Sequence, residues 1–79
     1  PQASDTQRFE DACARVARSG GLTPRETEVL ALLARGRNNA FVQEELTLTR
    51  NTVKTYIKRI YAKLNVHSQQ ELIDLVERG

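Results

Sequence analysis

The run AFVQEELTLTRNTVKTYIKRIYAKL, residues 40–64, carries two helical signals with three residues between them. In its second half Val53, Ile57, Ile60 and Leu64 recur at i, i+4, i+7 and i+11, a narrow arc at about 100° per residue. Asn51, Lys54, Thr55, Lys58 and Ala62 fall on the opposite side, with Arg59 beside them and Arg50 at the flank. Thr49 stands where a capping hydroxyl is preferred, so the spacing predicts a helix over about 50–64. A shorter helix before it, about Ala40 to Leu46 with Asn38 or Asn39 as its cap, turns Val42 and Leu46 inward. Thr47, Leu48 and Thr49 join the two, and Leu48 is the one apolar side chain this turn has to bury. The second helix therefore has an apolar back and a basic front.

Upstream, Thr23-Pro24-Arg25-Glu26 places a hydroxyl at a cap, a proline at the first helical position and a glutamate three residues on. Val29, Leu30, Leu32 and Leu33 continue that helix to about Arg35, and Gly36 ends it. Further back, Phe9, Ala12, Cys13 and Val16 recur at i, i+3, i+4 and i+7, with Ser4 and Asp5 as candidate caps and Gly20-Gly21 as the stop. Downstream, Ser68-Gln69-Gln70-Glu71 is a second capping box opening a last helix. Its Leu72, Ile73, Leu75 and Val76 spread over roughly 160°, wider than the ~100° stripe one core face requires, so an edge is expected to be left for a second copy of the chain. Nothing alternates with a period of two and nothing repeats, so the fold class is all-α.

Composition removes several classes of function. One cysteine, Cys13, and one histidine, His67, among 79 residues allow neither an internal disulfide nor a four-ligand zinc site. No apolar run approaches the ~20 residues of a membrane span, and no signal-peptide pattern opens the chain. There is no nucleophile–base pair and no Gly-rich phosphate loop, so neither an enzyme nor a cofactor is expected. A proline start and the lack of methionine make the chain read as a soluble segment of something longer. Charge is uneven: residues 1–46 carry six basic and seven acidic side chains, 47–64 five basic and none acidic, and 65–79 one basic and three acidic. The middle block thus exceeds the net charge of +2 and is the footprint of a polyanion partner.

Two helices joined by a three-residue turn, the second basic in front, make a helix-turn-helix. Fifteen residues span ~22 Å, enough to lie in a major groove ~12 Å wide. Lys54 and Lys58, with Thr55, are the centre of the expected reading face. Asn51 reads either as a residue that caps or solvates the first turn or as a bidentate partner of adenine. Arg50 and Arg59, at the flanks, suit phosphates, and Thr49 is a cap first with a phosphate contact as a compatible second role. Arg37 and Asn39, at the mouth of the short helix, are candidates for backbone contact. Tyr56 and Tyr61 read as packed rings with a wet hydroxyl, His67 as surface, and Cys13 as a small apolar residue. A protein-interaction module that meets an acidic partner, and region four of a sigma factor, are alternatives with the same helices. The capping box at Ser68 and the apolar last helix favour a regulator over the sigma factor.

Leu22-Thr23-Pro24-Arg25-Glu26, Val29-Leu30, Leu33-Ala34, Gly36, Asn39, Val42, Leu46, Thr52-Val53-Lys54, Ile60-Tyr61, Lys63-Leu64, Val66, Ser68 and Glu71-Leu72 together resemble the LuxR-type, or GerE-like, DNA-binding domain of bacterial transcription regulators. The resemblance covers about Leu22 to Val76. It implies a four-helix helix-turn-helix domain with one additional N-terminal helix, divided as residues 1–21, helix and linker, and 22–79, the DNA-binding domain. It further implies that the helix at about 50–64 reads DNA and that the last helix, through Leu72, Ile73, Leu75 and Val76, mediates dimerisation. Implied partners are double-stranded promoter DNA, a second copy in a weak dimer on DNA, RNA polymerase and an upstream regulatory domain. Such a protein works in the cytoplasm, although some relatives tether the module to a membrane segment. Ala40, Phe41, Val42 and Gln43 depart from the usual lysine, glutamate, isoleucine and alanine, and Tyr56 replaces a common histidine. Gln43 is expected either to widen the helix crossing or to turn its amide aside, and the first helix to pack near Phe41 and cover Phe9, Cys13 and Val16.

Overall fold

The computed structural model describes residues 2–78, with side chains from residue 5. Its helices are α1 (Gln2–Gly20), α2 (Pro24–Ala34), α3 (Asn39–Leu46), α4 (Arg50–Leu64) and α5 (Gln69–Arg78), with no strand among the described residues. Local chemistry sets most of the boundaries. The Thr23 hydroxyl accepts the Glu26 amide at 3.2 Å while the Glu26 carboxylate accepts the Thr23 amide at 2.9 Å, and Pro24 opens the helix between them. Asn38 caps α3 and Thr49 caps α4. At α5 the box is shifted by one residue: the Ser68 hydroxyl accepts the Glu71 amide at 3.1 Å, but the Glu71 carboxylate takes the amide of His67 at 2.9 Å.

The first helix starts earlier than its sequence suggests. It runs from Gln2 through positions 4 and 5, so neither is its cap; the Ser4 side chain lies outside the described residues, and Asp5 sits in the first turn, where the helix dipole favours an acid. Its end is as expected. Gly21, at φ +70°, lets Leu22 donate to the Ala17 carbonyl at 2.9 Å and so closes the last turn. Thr47 (φ 54°) and Asn65 (φ 58°) make the same left-handed exit from α3 and α4. For Thr47 this is an unfavoured backbone that the helix-turn-helix turn imposes, with Leu48 half-buried directly after it.

α2 is the central helix, packing against all four others. Val29 and Leu30 are fully buried, as are Val42 of α3, Val53 and Ile60 of α4 and Leu72 of α5. Ala12, Cys13, Val16 and Ala17 of α1 join that same cluster. α1 therefore extends the core, but not beside Phe41. It lies on α2, α4 and α5, and its small residues allow close approach; a methyl group at Gly20 would run into Leu64. The two phenylalanines find separate cover, Phe9 under the Arg35 guanidinium at 4.3 Å and Phe41 under that of Arg37 at 4.6 Å.

Candidate nucleic-acid interface

Val53 and Ile60 anchor α4 to the core, with Ile57 and Leu64 half-buried alongside. A helix held along one stripe must turn the residues half a turn away to solvent. Asn51, Lys54, Thr55, Lys58 and Arg59 are accordingly all exposed, as is Arg50 at the flank. Asn51, Thr55 and Arg59, one turn apart, line a shallow recess with Thr52 and Tyr56. The Thr55 hydroxyl donates to the Asn51 carbonyl at 3.0 Å, which commits its one proton and leaves the oxygen able to accept. Thr49 is committed to capping, accepting the Thr52 amide at 3.2 Å and donating to the Thr52 hydroxyl at 2.9 Å. Asn51 is thereby free of that duty, and its side-chain amide has no hydrogen-bond partner among the described residues.

The electrostatics sharpen the face. Ion pairs join Arg25 to Glu28 at 2.9 Å and Lys63 to Glu26 at 2.8 Å, and the His67 Nδ1 lies 3.6 Å from the Glu71 carboxylate. Among the described residues no carboxylate pairs with Arg37, Arg50, Lys54, Lys58 or Arg59. Lys63, the fifth basic residue of the block, is withdrawn from it: its ammonium binds the Glu26 carboxylate and the Gly21 carbonyl, at 2.8 and 3.3 Å. Its hydrogen bond, followed by that of the Thr23 amide, holds the Glu26 carboxyl below the usual glutamate range. Burial raises the Tyr61 phenol and, against the nearby Arg35 charge, the Cys13 thiol. Both tyrosines are half-buried and His67 is exposed.

At the mouth of α3, Asn38 is the cap, accepting the Phe41 amide at 2.9 Å, so Asn39 occupies the first helical position, exposed. Arg37 is exposed beside it. Contacts that sequence reasoning missed fix the helix pair to α2 and α5. Arg25 donates to the Leu46 carbonyl at 2.8 Å, tying the start of α2 to the end of α3. Glu26 and Lys63 tie that same start to the end of α4. Gln69 donates to the carbonyls of Leu33 and Arg37 at 3.1 and 2.9 Å, tying α5 to the loop before α3. The capping box pointed to Glu26, but no spacing rule announces a partner 37 residues later.

The expected dimer residues divide. Leu72 and Val76 are 0% and 2% exposed and belong to the core of their own chain, which corrects their assignment to a surface patch. A side chain that fills the monomer core has no area left to offer a partner. Ile73 and Leu75, on the two flanks of that pair, remain half-buried. Among the described residues there is no cluster of three metal-ligating side chains, and no helix is long and apolar enough to cross a membrane.

Residues 21–76 match the family model of the GerE domain, described as bacterial regulatory proteins of the luxR family. A Pseudomonas aeruginosa protein named as a transcriptional regulator is 43% identical over 75 residues, which is 95% of this chain and 35% of that protein. BvgA of Bordetella pertussis, named as a positive transcription regulator of virulence factors, is 46% identical over 58 residues, 73% of this chain and 28% of its own. The HTH-type transcriptional regulator MalT of Vibrio cholerae is 35% identical over 63 residues, 80% of this chain and 7% of its own. The chain thus spans about a third or less of the length of these relatives. No solved structure matches it.

Proposed function

Because the chain belongs to the LuxR family of bacterial regulatory proteins, a family of DNA-binding transcription regulators and not of enzymes, we propose that α4 is its recognition helix and lies in the major groove. Lys54, Lys58, Thr55 and Asn51 face base edges, and the free Asn51 amide suits adenine. Arg50, Arg59, Arg37 and Asn39 meet phosphates, as do the first amides of α4 beneath the Thr49 cap. α5 supplies a weak two-fold contact through Ile73 and Leu75, stabilised when two copies sit on adjacent half-sites. An upstream regulatory domain, RNA polymerase as a further partner and a cytoplasmic location complete the reading.

The observation that carries it is the front of α4: four exposed cations with no carboxylate partner among the described residues, backed by a buried stripe that fixes their direction. Lys54→Ala and Lys58→Ala test it, by titration of a labelled duplex and by selection from random-sequence duplexes. A lost phosphate contact lowers the salt slope by ~0.9, about 3.5-fold in affinity between 50 and 200 mM salt. A lost base contact costs ~1–3 kcal/mol and relaxes one position of the selected site. Wild-type affinity, slope and selected sequence in both variants would place the reading face elsewhere.

A further inference from the structure

We propose that Phe41 is a positioning residue that holds Arg37 ready for a DNA phosphate at the mouth of α3. The inference rests on the DNA-binding reading of the helix pair and adds a role for a residue where this chain departs from its family's pattern. Arg37 is exposed, yet three of its groups are held. Its amide donates to the Leu32 carbonyl at 3.2 Å, its own carbonyl accepts from Gln69 at 2.9 Å, and its guanidinium lies over the Phe41 ring, 4.6 Å from the centroid. On either side, Gly36 takes the left-handed backbone at φ +84° and Asn38 caps α3, so the residue has little freedom left.

The geometry of the stack matters. With its Cζ over the ring, the guanidinium meets the π face of Phe41 and not a hydrogen-bond acceptor, so its fork of N–H donors is left untaken by that contact. No carboxylate among the described residues takes that fork. Asn39 begins α3 next to it, and the first helix of a helix-turn-helix crosses the DNA backbone, so the acceptor that suits this edge is a phosphate. Phe41 thus removes in advance the rotamer freedom that Arg37 would otherwise lose on binding, worth about two- to tenfold in affinity.

The test uses the full chain, a fluorescein-labelled 30-base-pair duplex of mixed sequence, and anisotropy titrations between 50 and 200 mM salt. Phe41→Leu should weaken binding about threefold at an unchanged salt slope, since no charge is lost, while Phe41→Tyr, which keeps the ring face, should bind as wild type. Arg37→Ala should lower both affinity and slope, the slope by ~0.9. In the Arg37→Ala background Phe41→Leu should have no further effect. A purely structural role for Phe41 would weaken both backgrounds alike, and that result overturns the proposal, as does wild-type affinity in Phe41→Leu. If Lys54→Ala flattens the slope while Phe41→Leu changes nothing, the DNA reading stands and this inference falls. If the wild type shows no salt-dependent binding, the DNA reading falls first and takes the inference with it.

Discussion

Removing Glu26 should loosen α4 from the rest of the molecule. The side chain is 3% exposed, and its carboxylate accepts the Thr23 amide at 2.9 Å and the Lys63 ammonium at 2.8 Å. Glu26→Ala breaks the part-buried hydrogen bond from the Thr23 amide, at a cost of ~1 kcal/mol. Breaking an ion pair that is buried on both sides costs ~3–5 kcal/mol, but the Lys63 side chain is 36% exposed and can turn to water, so screening reduces this part to about 1 kcal/mol. The sum of about 2 kcal/mol corresponds to a drop of roughly 8–16 °C in Tm for a domain of this size. Lys63→Met should cost about half as much, and the double variant less than the two added, because the pair is then counted once. Acid supplies an independent reading. The folded carboxyl titrates below its ordinary value of 4.5, so its stabilisation is complete above that pH and is lost as pH falls through the lowered folded value. Thermal unfolding followed by circular dichroism should therefore show a wild-type Tm that converges on that of Glu26→Ala in the acidic window. Equal Tm values at pH 7, or a difference that stays constant as the pH falls well below 4.5, would refute the argument.

Further outcomes follow from burial. Val76→Asp puts a carboxyl where the side chain is 2% exposed and should abolish cooperative unfolding, at a cost of about 3 kcal/mol or more, whereas Leu75→Asp and Ile73→Asp should stay folded and lose cooperativity on paired half-sites. Deleting residues 2–19 strips Ala12, Cys13, Val16 and Ala17 from the core and should lower Tm by more than about 10 °C, from roughly 3 kcal/mol of lost apolar burial; an unchanged melt would make α1 a detached segment. Cys13 is 4% exposed with its thiol raised by burial, so a thiol reagent should label the native chain far more slowly than the unfolded one.

What the sequence makes legible is what neighbouring residues encode. The stripe of Val53, Ile57, Ile60 and Leu64 and the cap at Thr49 define α4 and its exposed face without knowledge of any other helix. Thr23, the pair Asn38 and Asn39, and Ser68 mark three more starts for the same reason, because a capping side chain bonds within its own turn, and the structure picks Asn38 from the pair. Contacts across the chain are not encoded this way. Lys63 has the look of a fifth DNA cation until Glu26 is found beneath it. Leu72 and Val76 are indistinguishable in pattern from Ile73 and Leu75, and only the packing of α5 on α1 and α2 shows which pair the core takes. Phe41 has no apolar neighbour in the pattern because its partner is a cation four residues earlier. Between a regulator and region four of a sigma factor the sequence offers only the capping box at Ser68 and the apolar last helix, and membership of the LuxR family decides it.

The missed contacts converge on α2. Arg25 and Glu26, adjacent at its start, hold the end of α3 and the end of α4, and the carbonyls of Leu33 and Arg37 near its far end hold Gln69 at the start of α5. α3, α4 and α5 are thereby all referenced to one central helix, and α1 packs against α2, α4 and α5 in turn. In the proposed dimer the separation of two reading helices equals the separation of two α5 contacts plus a fixed offset within each chain. A rigid offset selects half-sites about one helical turn of DNA apart, whereas a loose one would accept several spacings. Loss of the Glu26–Lys63 tie should then broaden the half-site spacings tolerated by the chain before it changes the base preference within each half-site, because the side chains proposed to face the bases stay on an intact helix. Titration of Glu26→Gln on duplexes with half-sites moved by one and two base pairs measures this directly, and an unchanged spacing preference would show that the apolar core alone fixes the offset.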